Sequence, residues 1–388
     1  MSNVTTIDTA SIERELSHLW QKQALEAGGQ VVTRALTLNL VVRARDSATA
    51  ELVSEIVQRL TASHPNRAVL ALLRPDETPS RLEAFVQANC LLASQGQPQV
   101  CGEQITLDAR GTATAQVASL VLPLLVADLP VALWLPGPAP FDDPLLIRLQ
   151  GMLDRLIVDS RAFADPARDL VALAAFEAAD HQGVGAGGSG PAVSDLNWAA
   201  LTPWRELTAQ FFDTRPLLPH LRRLDHVVIS YVPPAGPRLN PTAGLLLAGW
   251  LAACLGWTPL EDAVSIEGPV VRLYLRRAAV GVGPHAIRLV TVDVHPAAAP
   301  AEAAPGIASL RLQATDGVAA DFRVERTSAP GNVLTAAEVA GHAPISRLAR
   351  CEEPTLADLL AAELRLLSRD RTFERALRVA ATFAARLP

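Results

Sequence analysis

The stretch LTLNLVVRARDSATAELVSEIVQRLTASHPNRAVLALL, residues 36–73, decides the fold. Its first seven residues, 36–42, are an apolar run and read as a strand. Residues 48–60 then place Leu52, Val53, Ile56, Val57 and Leu60 on one side of an amphipathic helix. The turn His64-Pro65-Asn66-Arg67 feeds a second apolar run at 68–73. Strand, helix and strand in so short a span fit a βαβ crossover, the unit that builds parallel sheets.

Outward from this unit the alternation continues. Residues 11–27 have helical composition, and 82–93 and 99–108 read as an antiparallel hairpin laid onto the sheet. A helix at 114–125, a strand at 131–135, a helix at 144–153, a strand at 155–158 and a helix at 166–178 complete the first half. The run GVGAGGSG at 183–190 contains Gly183, Gly185 and Gly188 at GxGxxG spacing. A dinucleotide fingerprint follows a strand and opens a helix, whereas this run follows a helix and leads to Pro191, so it reads as a linker. The second half carries a helix at 198–212, a strand at 226–231, a buried helix at 241–255, a strand at 285–294, and a hairpin at 308–325 around Asp316-Gly317. Amphipathic helices at 356–367 and 371–386 close the chain. The expected class is α/β with two domains, each a mixed, mostly parallel sheet covered by helices, and an antiparallel hairpin in the first. The expected division is a helical segment 1–34, an N-terminal domain 35–180, a Gly-rich linker 181–192 and a C-terminal domain 193–388.

Composition narrows the chemistry. A hydrophobic content of 49% over 388 residues supports two cores without covalent staples. The net charge is -6 and there is no long basic stripe, which argues against nucleic-acid binding through phosphates. The pairs Arg222-Arg223 and Arg276-Arg277 read as solvated element ends. Lys22 is the sole lysine, so a Schiff-base lysine and a P-loop are both excluded on residue type and context. The longest apolar stretch, 117–140, is interrupted by Pro123, Asp128 and Pro130 and is not a membrane helix; no leader is read at the N-terminus. Four cysteines, Cys90, Cys101, Cys254 and Cys351, make no disulfide framework, and a reducing cytoplasm is the expected compartment.

No nucleophile elbow, HExxH or CxxC occurs, and the eight histidines are scattered. Asp142-Asp143 before Pro144 reads as a helix N-cap. Polar residues do fall where open sheets bind ligands, beyond the carboxyl ends of strands: Trp134, Pro136 and Gly137 after one, Asp159 and Ser160 after the next. The alternative for Asp159 and Ser160 is that they cap the following turn. If Gln95-Gly96 closes a tight hairpin, Cys90 stands opposite Cys101 and the two can form a redox pair; two separate thiols are the alternative.

Four segments in fixed order, HPNRA (64–68), VCGEQI (100–105), LPLLVADLPVALWLPG (122–137) and DRLIVDS (154–160), resemble the N-terminal domain of the OpcA family, the glucose-6-phosphate dehydrogenase assembly proteins. DLNWAALTPWRELTAQFFD (195–213) is similar to the start of that family's C-terminal domain. The resemblance covers most of 35–300. It implies a non-catalytic protein that binds the dehydrogenase and promotes its active oligomer or its substrate affinity; no cofactor or metal is expected. The family often carries a second tryptophan where this chain has Leu135. Because Trp and Arg are the usual anchors of interfaces, Arg67, Trp134, Arg155, Trp198, Trp204 and Arg205 are the anchor candidates, and His64, Glu103, Asp154, Asp159 and Ser160 complete the partner-binding or pocket set. Core packing is the alternative for the tryptophans, and pairing of Glu103 with Arg67 across adjacent strands would make both structural. A competing reading is a sugar-phosphate enzyme or sensor whose Arg67 and Arg155 grip phosphate at the carboxyl edge of the first sheet.

Overall fold

The computed structural model describes residues 2–3, 7–26, 32–34, 36–90, 99–138, 141–181, 190–234, 239–279, 287–297 and 304–387. The glycine run 183–189 and the turn at 95–96 lie outside them. The chain forms two units. The first comprises Met1–Ala162, Ala178–Leu196 and Thr355–Arg369; the second comprises Phe163–Glu177, Asn197–Pro354 and Asp370–Pro388. The units therefore interleave along the chain, where the sequence reading divided it once, at 181–192.

The first unit contains β1 (Ser2–Asn3), α1 (Thr9–Glu26), β2 (Val32–Arg34), β3 (Leu38–Ala44), α2 (Ser47–Leu60), β4 (Asn66–Arg74), β5 (Arg81–Cys90), β6 (Gln99–Arg110), α3 (Thr114–Leu124), β7 (Val131–Leu135), α4 (Pro144–Leu149) and β8 (Arg155–Val158). Helix α5 (Pro166–His181), which belongs to the second unit up to Glu177, follows in the chain, and β9 (Ala192–Asp195) is again in the first. The strand order is β1-β5-β6-β4-β3-β7-β8-β9, with β2 also on β6. From β6 to β9 every pairing is parallel, and β5 is antiparallel to β6 as the hairpin reading requires. Strand β9 belongs to this sheet, although 193–195 were expected in the C-terminal domain.

Helices cover both faces, so β3, β4, β7 and β8 are apolar nearly throughout, without alternation. Helix α2 starts on Asp46, whose carboxylate accepts from the Thr49 N–H. It buries Ala50, Val53, Ile56, Val57 and Leu60. Leu52, expected on that face, points outward, because the buried stripe is set by positions 50, 53, 57 and 60.

The second unit continues with α6 (Leu196–Ala200), whose residues from Asn197 belong here, α7 (Thr202–Gln210), α8 (Leu218–Leu221), β10 (His226–Val232) and α9 (Thr242–Leu255). Seven strands follow: β11 (Thr258–Glu267), β12 (Val270–Ala278), β13 (Ile287–Pro296), β14 (Gly306–Ala314), β15 (Ala320–Arg326), β16 (Asn332–Val339) and β17 (Ile345–Arg350). Helix α10 (Leu356–Leu364) returns to the first unit, and α11 (Arg371–Ala384) packs on α9 in the second.

The strand order is β11-β12-β13-β10-β14-β15-β16-β17. This sheet is mixed, but only β10 and β13 pair in parallel; the expectation of a mostly parallel second sheet does not hold. The reason is the connections. Tight turns at Gly268, Gly317, Gly331 and Gly341, all at positive φ, return the chain at once, whereas parallel pairing needs a crossover. One face buries Val227, Ile229, Val292, Val294, Leu310, Leu312 and Phe322. The other carries His226, Arg272, Asp293, Arg311, Gln313 and Asp321.

The expected helix at 198–212 is broken between α6 and α7. Pro203 lacks an N–H and disfavours helical backbone before it, so it serves as the opening turn of a new helix. Arg277 is not a solvated strand end: it is buried, and its guanidinium donates to the carbonyls of Leu224 at 2.9 Å and Arg223 at 3.1 Å.

Candidate functional site

The candidate residues of the first unit fall at opposite ends of its sheet. Arg67 and Arg155 stand at or near the first residues of β4 and β8, so both lie at the amino edge, not at the carboxyl edge proposed for a phosphate pocket.

At the amino edge, register places Arg67 directly beside Glu103. The Arg67 Nε donates to the Glu103 carboxylate, and its Nη1 donates to both the Glu13 carboxylate and the Leu124 carbonyl at 2.7 Å. Glu103 is fully buried, and it also accepts from the Trp20 indole at 3.0 Å and from Arg34 at 2.9 Å. Burial pushes its carboxyl pKa up, but Arg67, Arg34 and Trp20 outweigh that and hold it below the usual glutamate range. The cluster ties β4 and β6 to α1, to β2 and to the last turn of α3, with Arg34 and Glu13 on its solvent side. The exposed carbonyl end of a helix favours the cation placed there.

Further along the same edge, Arg155 is buried and donates to the Ser194 hydroxyl at 2.7 Å and to the carbonyls of Leu366 and Ser368 at 2.5 and 3.2 Å. It thereby fixes the segment that follows α10. Burial draws its guanidinium pKa down, while Glu363 and Asp154 draw it up. Asp154 accepts from the Val131 N–H at 2.8 Å and so sets the start of β7. His64 shares a 2.9 Å hydrogen bond with Ser63; burial, then Arg365, pull its imidazole below the ordinary value and favour the neutral form.

At the carboxyl edge, Trp134 is fully buried, and its indole N–H meets no acceptor among the described residues. Leu135 is also buried. The Ser160 N–H and hydroxyl donate to the two Asp195 oxygens at 2.9 and 2.6 Å, joining β8 to β9. Asp159 accepts from the N–H and guanidinium of Arg161 and closes the turn, as its capping alternative anticipated. Asp143 caps α4 through the Leu145 N–H at 2.9 Å and also pairs with Arg43 at 2.9 Å.

In the second unit, Trp198 is buried against Phe373, its indole donates to Asp370 at 2.8 Å, and the Arg205 guanidinium lies 3.4 Å from its ring centroid. Trp204 is buried on α7. Cys90 and Cys101 are register partners at the end of the β5–β6 hairpin and form a disulfide.

Sequence reading paired Arg67 with Glu103 but missed Glu13, Trp20, Arg34, Arg43, Asp195 and Asp370. Asp195 lay inside a quoted motif and sat in view. The others meet their partners across the fold, with nothing local to announce them. Among the described residues no group of three His, Cys, Asp or Glu is placed to hold a metal, and no helix is long and apolar enough to cross a membrane.

Two family models match the chain. Residues 57–175 match the glucose-6-phosphate dehydrogenase subunit N-terminal domain, and residues 191–377 match its C-terminal domain. Proteins named as OxPP cycle protein OpcA are similar to it. That of Nostoc punctiforme is 31% identical over 53% of this chain, and that of Synechocystis sp. 30% over 54%. Each of these alignments spans 41% of the relative's own length. The protein of Synechococcus elongatus is 26% identical over 66% of this chain and 69% of its own. Matched in both halves, in the order its motifs require, the chain belongs to the OpcA family.

Proposed function

We propose that this protein is a non-catalytic assembly factor and allosteric activator of glucose-6-phosphate dehydrogenase, serving the oxidative pentose phosphate pathway in the cytoplasm. The observation that carries the reading is the match of residues 57–175 and 191–377 to two domains described as those of a subunit of that enzyme. The candidate side chains support it from another direction. Arg67, Glu103, Arg155, Ser160 and Trp198 are buried with their polar groups joining strands and helices of this chain, and Trp204 is buried on its helix. Their role is to position the elements that meet the partner. The sugar-phosphate reading draws no support from Arg67 and Arg155, whose guanidinium groups are taken up by internal acceptors.

Such a protein acts by binding one state of the enzyme more tightly than another. A tenfold gain in substrate affinity takes about 1.4 kcal/mol of differential binding. That is within reach of a modest contact rearrangement. Sedimentation velocity of the protein mixed with its cognate dehydrogenase tests the reading. A new, faster boundary containing both chains is expected; independent sedimentation at micromolar excess overturns it.

A further inference from the structure

The two edges of the second sheet are not alike. Natural edge strands are guarded against pairing with another chain by prolines, bulges or charges. Strand β11 has all three: Pro259, a register break between Pro259 and Val264, and the acidic pair Glu261-Asp262. Strand β17 has no proline, and its register with β16 runs unbroken from Ile345 to Arg350. It does carry two arginines: Arg347 donates to Gln210 at 2.7 Å, and Arg350, with its side chain 81% exposed, donates to Glu352. Its apolar side chains are exposed, Ile345 to 61% and Leu348 to 60%.

The direction of the free backbone groups follows from two bonds. The Cys351 N–H donates to the Gly331 carbonyl at 2.8 Å, and the Arg347 carbonyl accepts from the Thr335 hydroxyl at 3.2 Å. Odd-numbered residues of this strand therefore face β16, and Ser346, Leu348 and Arg350 present their N–H and C=O groups outward. Antiparallel pairing requires outward residues opposite outward residues. With Leu348 on a twofold axis, Leu348 meets itself and Ser346 meets Arg350, which closes about six main-chain hydrogen bonds. On the other face of the same register, Arg347 meets Ala349 and Ile345 meets Cys351. No arginine faces an arginine, whereas moving the axis to Arg347 or Arg350 sets two like charges in apposition.

We infer that β17 is a self-complementary edge, and that two copies of this chain join there, antiparallel about Leu348, into one continuous sheet. The inference stands independently of the enzyme that the protein serves.

Sedimentation equilibrium into the tens of micromolar tests it. Wild type is expected to approach twice the 41.2 kDa chain mass. Leu348→Lys, at an exposed position, is expected to remain monomeric with an unchanged melting temperature. In a Cys254→Ser, Cys351→Ser background, Leu348→Cys should yield a disulfide-linked dimer on mild oxidation, and Ser346→Cys should not. A wild type that stays monomeric at every concentration, including one whose β17 amides gain hydrogen-exchange protection only when the dehydrogenase is added, overturns the proposal. So does a dimer that survives Leu348→Lys, or crosslinking through Ser346→Cys as efficient as through Leu348→Cys.

Discussion

Glu103 is a carboxylate with no solvent contact, tolerable only because three donors from three different elements converge on it. Removing its charge leaves Arg67 buried and half answered. Glu103→Gln is therefore expected to destabilise the first unit by about 3 kcal/mol in urea unfolding, and to be non-additive with Arg67→Met. The sign of the pH effect follows from the direction of the shift. A carboxyl held low in the folded state contributes stability that is complete above the unfolded value, about 4.3, and is lost as pH falls through the lower folded value. Wild type should lose stability in that acid window, and Glu103→Gln should flatten the slope there. The pairing of Arg67 with Glu103 could be offered from the sequence only as an alternative to partner binding, and the register of β4 and β6 places the two side by side. The donors from α1 and β2 were not legible: Trp20 and Arg34 lie far from Glu103 in sequence, and no spacing rule links them.

At the scale of elements, the helix pair α9–α11 turns on one residue. A Cβ built on Gly249 would lie 2.3 Å from the Ala376 carbonyl oxygen, backbone that cannot step aside. Alanine in an exposed helix interior is better than glycine by about 1 kcal/mol; here the sign reverses, and Gly249→Ala should cost roughly 2 kcal/mol or more in thermal unfolding of the second unit. The β5–β6 hairpin is tied by Cys90–Cys101. Closing so short a loop contributes up to about 3 kcal/mol. Reduction should lower the urea midpoint of the first unit, Cys101→Ser should abolish that dependence, and non-reducing peptide maps should show the linked pair. Most elements could be read from the chain: periodicity fixed α2 and α11, and apolar runs fixed β3, β4, β7 and β8. What periodicity could not fix was pairing sense in the second sheet, since a strand with one buried face alternates whether its neighbour runs parallel or antiparallel. The glycine turns held that information and were under-read. Interleaving of the units was invisible for a related reason: α10 is amphipathic, and amphipathicity says that a face is buried, not against what.

For the whole molecule, the central claim is that docking free energy reshapes another polypeptide. The candidate polar groups Arg67, Arg155, Ser160 and Trp198 are each hydrogen-bonded inside their own unit. The effector proposed above would change the enzyme's substrate affinity or its oligomer, and would turn over nothing by itself. The most direct measurement is steady-state NADP-dependent oxidation of glucose 6-phosphate by the cognate dehydrogenase, titrated with this protein. The account predicts a saturable fall in KM of about tenfold or a matching rise in kcat, with no activity from this chain alone. Kinetics unchanged at saturating excess, or turnover by this chain in the enzyme's absence, would contradict it.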